Sequence, residues 1–172
     1  LVCYTIIAYV NTLIINTMLG ISQGSQPLVS FHYGKEDAAG YRRLLRYGFA
    51  AVGVMTAVIC AGVIAFAPQI AGLFLGSENP GLIADAAGAL RRYGLCYLLL
   101  GGNILMGGFL TAVERPTGAI CISVGRGLVF QAAALAVLAF TVGGSAIWYA
   151  PVISEAVCAM MAVWFLRRFL RS

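Results

Sequence analysis

Long runs of uncharged, mostly apolar residues alternate with short polar links along this chain. A helix that crosses the roughly 30 Å hydrocarbon core of a membrane needs about 20 consecutive apolar residues. Three runs without any charged side chain reach that length, at 1–31, 47–77 and 93–113. A fourth run, 127–154, is interrupted by Gly143-Gly144-Ser145 and is typical of parts of two helices. We therefore predict five spans, near 3–31, 46–75, 89–112, 118–142 and 146–167.

The composition supports this prediction and excludes several classes of protein. Of the 172 residues, 61% are hydrophobic and 10% are charged, whereas a soluble domain carries about 25% charged residues. An open sheet would leave unpaired backbone groups in lipid, and the roughly 10-residue alternating segments of a membrane barrel do not occur. The sequence predicts an all-α, polytopic transmembrane helix bundle that forms one domain over 1–172.

The charged residues indicate an orientation. Basic side chains follow the first, third and last spans: Lys35, Arg42, Arg43, Arg46, Arg115, Arg167, Arg168 and Arg171. The acidic residues Glu78 and Asp85 fall on the opposite side. By the positive-inside rule, the basic links and the C-terminus are predicted to be cytoplasmic in the cell (inner plasma) membrane. Arg91 and Arg92 are exceptions, which either snorkel to the interface or line an aqueous vestibule.

The net charge of +5 is accounted for by topology. We expect contact with anionic membrane lipid rather than with nucleic acid, because no soluble basic face is predicted. The five cysteines are isolated and odd in number, which favours packing thiols over disulfides or a metal site. No nucleophile–base pair, metal motif or nucleotide-binding loop is found, so neither an enzyme nor a cofactor is predicted.

One face of the first span is polar or small. Its members are spaced three or four residues apart: Thr5, Tyr9, Thr12, Asn16, Gly20, Gln23 and Pro27. Such a stripe must face protein or water, because hydrocarbon leaves polar groups unpaired. One interpretation is helix–helix packing through Gly20-x-x-x-Gly24, and the other is the lining of a cavity. Pro27 favours the cavity, since it frees a carbonyl near Gln23, and broken helices recur at transporter sites.

Arg126 and Glu155 are the charged residues that fall well inside predicted spans. Counted from the basic side, they lie about 12 Å and about 17 Å deep. Isolated charges at that depth are costly, so we predict an ion pair or a shared polar cluster. It serves either as a structural brace or in proton handling by Glu155. Glycine pairs at 101–102 and 107–108 surround Asn103, and indicate either close packing or a hinge.

Two segments resemble a known family. The run from Gly20 to Gly34, followed by Lys35-Glu36-Asp37, resembles the end of the eighth helix of the multidrug and toxic compound extrusion (MATE) transporters. Further on, Gly144-x-x-Ile147-Trp148-x-x-Pro151-x-x-x-Glu155 resembles their entry into the twelfth helix. Arg126 and the Ala112-x-x-x-Pro116 turn also fit. The order and spacing of these matches cover the whole chain.

The resemblance implies a twelve-helix transporter of two lobes, in which this chain supplies helices eight to twelve, a partial C-terminal lobe. The missing N-terminal lobe is then an expected partner. Such transporters export organic cations or amphipathic drugs in exchange for Na⁺ or H⁺. The chain departs from the family at His32 and at Lys35-Glu36, and its third span lacks the acidic residue of some branches. The coupling ion therefore stays open.

We predict that Asn16, Gln23, Gln26 and Asn103 face the central cavity and that Tyr9 and Tyr97 stack on a flat cationic substrate. Arg126, Glu155 and Pro27 are assigned structural or coupling roles. Two alternatives remain. A lipid-linked oligosaccharide flippase of the same superfamily should have a more basic cavity. A non-transporting membrane assembly module should have polar residues scattered without a common face.

Overall fold

The computed structural model describes residues 2–75, 80–141 and 146–171, and these are almost entirely helical. The helices are α1 (Val2–Gly34), α2 (Ala38–Ala65), α3 (Ala67–Leu75), α4 (Pro80–Gly94), α5 (Tyr97–Ala112), α6 (Pro116–Val124), α7 (Phe130–Thr141) and α8 (Ala150–Arg171). A π-helical segment, Gly125–Val129, joins α6 to α7, and a 3₁₀ turn, Ala146–Tyr149, leads into α8. No strand occurs in the three described segments, which confirms the predicted all-α class.

Four helical stretches are long and apolar enough to cross a membrane: Cys3–Gly34, Ala38–Ala65, Pro116–Thr141 and Ala146–Leu170. Helices α4 and α5 meet the same test together, with a bend of 44° between them. The 16 residues of α5 extend only about 24 Å, so α5 needs part of α4 to cross the hydrocarbon core. The prediction of about five spans is confirmed. The predicted Gly143–Ser145 link and Glu78 lie outside the described residues.

The second span differs in its bounds from the predicted 46–75. Asp37 caps α2 by accepting a hydrogen bond from the backbone amide of Gly40, at 2.9 Å, so the arginines of this region lie on the first turns of the helix. The far end is set by Pro68, which cannot donate a backbone hydrogen bond and clashes with the carbonyl four residues earlier. The apolar run therefore divides into α2, which ends at Ala65, and the separate short helix α3.

The third span also differs, because α4 already begins at Pro80 and includes Arg91 and Arg92 near its end. The Nε of Arg91 donates to the carbonyl oxygen of Ile64 at 3.2 Å. Ile64 lies in the last turn of α2, where backbone carbonyls lack helical partners and a cation is stabilising. Arg91 therefore caps α2, which gives a structural role to one of the two arginines that the charge pattern left open.

Helix α5 lies at the centre of the bundle and packs against α1, α2, α6 and α8. Its glycines allow the close approach. A methyl group added at Gly101 would lie 2.5 Å from the side chains of both Val52 and Thr56, and one added at Gly108 would overlap Ser22 of α1. The helix runs unbroken through both glycine pairs, and the 44° bend precedes it. These contacts support close packing, rather than a hinge, at the two pairs.

Four helix ends meet at one side of the bundle. Tyr33 of α1, Tyr41 of α2, Phe109 of α5 and Phe169 of α8 form an aromatic cluster with ring centroids 5.8–6.3 Å apart. The neighbouring basic residues are Lys35, Arg42, Arg43, Arg46, Arg115, Arg167 and Arg168. We call this side the basic end. The fold thus gathers the basic links on one side, as the charge pattern predicts.

Candidate functional site

The polar stripe of α1 lies on the exposed side of this helix. Tyr9, Asn16, Gln23 and Pro27 are exposed, whereas the opposite face of α1 is buried against the bundle through Ile6, Ile7, Ile14, Met18 and Val29. Methyl groups added at Gly20 or Gly24 would meet no atom within 4 Å. Neither glycine therefore brings α1 close to another helix among the described residues. Helix–helix packing within the described part of the chain does not account for the Gly20-x-x-x-Gly24 pattern. The helix itself continues unbroken through Pro27.

A polar cleft adjoins the stripe, between α1, α5 and α6. It has a volume of about 170 Å³. Its polar lining comes from Ser22, Gln23, Gln26, Asn103, Thr111, Ser123 and Arg126. The Oγ of Ser22 donates to the carbonyl oxygen of Ile104 at 3.2 Å and ties α1 to α5 at the base of the cleft. We call this feature the α1–α5 cleft.

A buried cluster lies at the inner end of the cleft, and the predicted pairing of Arg126 and Glu155 is confirmed there. The Nη1 of Arg126 is 3.8 Å from Oε1 of Glu155, and their side chains are 21% and 7% exposed. The Nδ2 of Asn103 donates to the other carboxylate oxygen at 2.6 Å and to the backbone carbonyl of Glu155 at 2.9 Å. One amide thus joins the ion pair to α5.

The backbone around Arg126 is π-helical over Gly125–Val129. A π turn is wider than an α turn, and such turns often occur at functional sites. Gly125 allows close packing here, because an added methyl group would lie 2.7 Å from the ring of Phe130. The carbonyl oxygen of Arg126 accepts a hydrogen bond from the Oγ of Ser154 on α8, at 3.3 Å. Backbone and side chain of Arg126 are therefore both bound to α8.

The six residues predicted to face substrate occupy three different environments. Gln23, Gln26 and Asn103 line the α1–α5 cleft. Asn16 is exposed on the stripe, and Tyr9 is exposed with one face of its ring stacked on Phe74 of α3, centroids 6.0 Å apart. Tyr97 differs, because it is fully buried beside Tyr93. The ring of Tyr97 does not face the cleft in this conformation, so we leave it out of the ligand-facing set.

Several residues of the site were not singled out from the sequence. Ser22 and Ser123 line the cleft, and Ser154 holds the π turn. Ser22 lies one helical turn before Gln26, which was predicted to face the cavity, so the same helical face extended by one turn would have included Ser22. The bond from Asn103 to Glu155 spans 52 positions, and no local pattern predicts it. Within the described residues, no group of three His, Cys, Asp or Glu side chains is arranged to hold a metal ion.

Comparison with known families decides what kind of bundle this is. The sequence model of the MatE family matches residues 3–137, which is most of the chain. The chain belongs to the MatE family. No curated protein sequence matches it significantly.

Solved structures with this fold agree with that assignment. The MatE chain is similar to a MATE protein crystallised in complex with MaL6, with a TM-score of 0.88 and 21% identity over 97% of this chain and 38% of that one. It is also similar to an inward-facing multidrug resistance MATE family transporter of the MOP superfamily, with a TM-score of 0.87 and 20% identity over 96% of this chain and 39% of the other.

A third structure is a MOP superfamily transporter from Pyrococcus furiosus, whose binding pocket is described as having reverse polarity. Its TM-score is 0.86 at 22% identity, over 96% of this chain and 38% of that protein. At such identities the likeness shows the fold. This MatE chain spans about two fifths of the length of the structures that it matches.

Proposed function

We propose that the protein exports organic cations or amphipathic drugs in exchange for Na⁺ or H⁺, and that this chain forms one transmembrane domain equivalent to helices eight to twelve. The observation that carries the proposal is the polar stripe of α1, which is exposed on the bundle surface and continuous with the α1–α5 cleft. In a membrane, such a face needs protein or water as a partner. A water-filled cavity between two lobes provides that partner.

Substrate contacts follow from this placement. Asn16, Gln23 and Gln26 offer neutral hydrogen-bonding groups along the cavity wall, and neutral groups accept many different cations without a fixed geometry. Tyr9 is 60% exposed and offers an aromatic ring to a flat cation. Asn103 lies deeper, at the inner end of the cleft, where it links the cavity wall to Glu155.

The buried cluster supplies a coupling device in this proposal. Glu155 is the one carboxylate in the described spans that is buried, and the guanidinium of Arg126 is its partner in an ion pair. A proton or Na⁺ that arrives at Glu155 competes with the guanidinium of Arg126. Because Arg126 and Asn103 lie on different helices, release of either one changes the contacts between α5, the π turn and α8. Binding of the coupling ion then shifts the balance between two arrangements of the lobe.

Efflux of a fluorescent cationic dye from cells that express the natural protein tests the proposal. We expect efflux to stop when the Na⁺ or proton gradient is collapsed, and to weaken in Gln23→Leu and Gln26→Leu. Gln131→Leu is the matched control, because Gln131 lies on α7 outside the cleft. Efflux that survives the loss of both gradients contradicts antiport. Equal effects of all three substitutions contradict the assignment of the cleft.

The contacts of Arg126 and Arg91 argue against the flippase alternative. A pyrophosphate-bearing substrate needs free positive charge in the cavity, but Arg126 is paired with Glu155 and Arg91 is bound to a backbone carbonyl. The assembly-module alternative expects scattered polar residues, whereas the stripe is continuous. We also propose that the basic end is cytoplasmic, and a reporter fused to the C-terminus that is active only in the cytoplasm tests this orientation.

A further inference from the structure

A second cavity, separate from the α1–α5 cleft, opens at the basic end. It lies between the α5–α6 turn and the last turns of α8, and its volume is about 530 Å³. Its lining residues include Glu114, Arg115 and Thr117 from the turn, and Phe165, Arg168 and Phe169 from α8. The proposed transport function uses none of them.

The turn between α5 and α6 is built so that Arg115 reaches this cavity. Glu114 has a positive φ of 57°, which reverses the chain directly after α5, and Pro116 then begins α6. Gly118 brings α6 close to α8, because a methyl group added there would lie 3.2 Å from the ring of Phe165. Arg115 and the end of α8 are therefore held on opposite sides of one space.

The cavity is positively charged and has an aromatic wall. Neither Arg115 nor Arg168 forms an ion pair in the described part of the chain. The guanidinium of Arg168 lies 5.6 Å from the ring centroid of Trp164, and this contact holds it at the cavity rim. Two guanidinium groups against the single carboxylate of Glu114 leave the space attractive to an anion. Arginine is suited to a phosphate because its planar group forms two parallel hydrogen bonds.

An apolar surface continues from the cavity towards the hydrocarbon core. Trp164 is 54% exposed, and Met160, one helical turn away on the side of the hydrocarbon core, is exposed as well. Tryptophan beside arginine is typical of the membrane–water interface. The occupant thus meets a phosphate site at one end and an apolar track at the other. Inorganic phosphate would use only the first part, whereas a phospholipid would use both.

We propose that this cavity binds one anionic phospholipid of the phosphatidylglycerol type. Its phosphate lies between Arg115 and Arg168, a headgroup hydroxyl donates to Glu114, and an acyl chain follows Trp164 and Met160. Basic pockets between helix ends are a recognised way of binding anionic headgroups. This proposal requires only that the bundle spans a membrane, so it does not depend on which substrate or coupling ion the protein uses.

Native mass spectrometry of the natural protein, released from detergent with added lipid, tests the site. We expect one phosphatidylglycerol to be retained in preference to phosphatidylcholine and phosphatidylethanolamine. Arg115→Gln and Arg168→Gln should each lower the affinity for phosphatidylglycerol about fivefold. Arg46→Gln and Arg167→Gln are matched controls, because they remove the same charge from the basic end without lining the cavity, and they should change this affinity little.

A second measurement places the lipid. Phosphatidylglycerol brominated on its acyl chain should quench the part of the tryptophan fluorescence that Trp164→Phe removes, and it should do so more strongly than brominated phosphatidylcholine. Arg168→Lys serves as the second variant if Arg168→Gln does not fold. It keeps the positive charge, so it should retain the preference for phosphatidylglycerol. Equal losses in all four glutamine variants would show diffuse attraction and overturn the site. So would equal retention of the three lipids, or displacement of phosphatidylglycerol by inorganic phosphate.

Discussion

The ion pair of Arg126 and Glu155 allows a quantitative test of how the buried cluster holds the bundle. Glu155→Gln keeps an oxygen that can accept from Asn103, but it removes the negative charge 3.8 Å from the guanidinium. Two unit charges at about 4 Å interact by about 4 kcal/mol at an effective dielectric constant of 20. Breaking a buried pair by removing one partner costs about 3–5 kcal/mol.

Partial solvation sets where in that range the effect falls. Because the Arg126 side chain is 21% exposed, we expect Glu155→Gln to cost about 3 kcal/mol, at the lower end. Arg126→Gln should cost a similar amount, since it leaves the carboxylate without its cation. The double variant leaves no uncompensated charge, so it should be more stable than the sum of the single effects indicates. We expect a coupling energy of about 2 kcal/mol in this double-mutant cycle.

The assay is reversible unfolding of the natural protein in mixed micelles with increasing denaturing detergent, followed by helical circular dichroism. Glu114→Gln is the matched control, because it makes the same chemical change at an exposed carboxylate. It should leave the free energy of unfolding nearly unchanged. Single effects that add within about 0.5 kcal/mol would refute the reasoning, since they would show that the two side chains do not interact in the folded state.

Two further predictions concern packing and a helix cap. Gly101→Ala should lower the free energy of unfolding by about 1–3 kcal/mol in the same assay, because the added methyl group overlaps Val52. Gly24→Ala is the control, since its methyl group meets nothing within 4 Å, and it should not destabilise the protein. Equal effects of the two substitutions would contradict the close packing at Gly101. The backbone amide of Gly40, followed by His32, holds the pKa of Asp37 below its usual value of 3.8. A lowered pKa means that the charged cap stabilises the first turn of α2 above that value and loses this effect as the pH falls through the lowered pKa. Asp37→Asn still caps the helix but does not ionise, so hydrogen-exchange protection of this turn, corrected for the intrinsic rate, should lose its acid dependence. Acid dependence that persists in the variant would exclude Asp37 as the titrating group.

The spans could be predicted from the sequence because each depends on a local property. A run of about 20 mostly apolar residues favours the hydrocarbon core through its own composition, and a basic link resists crossing the membrane. The breaks between helices were harder to predict from the sequence than the spans. Pro68 divides one apolar run into α2 and α3, and α4 begins at Pro80, before the charges of that helix. Their positions depend on backbone bonding and capping, which hydropathy does not measure.

The candidate site was only partly predictable. A stripe at helical spacing identified Gln23 without any tertiary information, because one face of α1 differs in polarity from the other. Helix α5 has few polar side chains on any face, so its pattern cannot show which way Tyr97 points, and the structure buries this side chain. The depth of Arg126 and Glu155 suggested a pair, but their link to Asn103 depends on how α5 and α8 cross.

By itself, the sequence determined that this chain is a membrane helix bundle, how many spans it has and which links are basic, since these follow from the free energy of placing each segment in lipid. Only the tertiary structure decided which side of each helix meets another. It placed the polar stripe of α1 on the exposed side of that helix and brought Asn103 and Arg126 to the carboxylate of Glu155. It also set Arg115 opposite Arg168 across one cavity. Those arrangements depend on helix rotation and crossing, which are set by the packing of residues far apart in the chain.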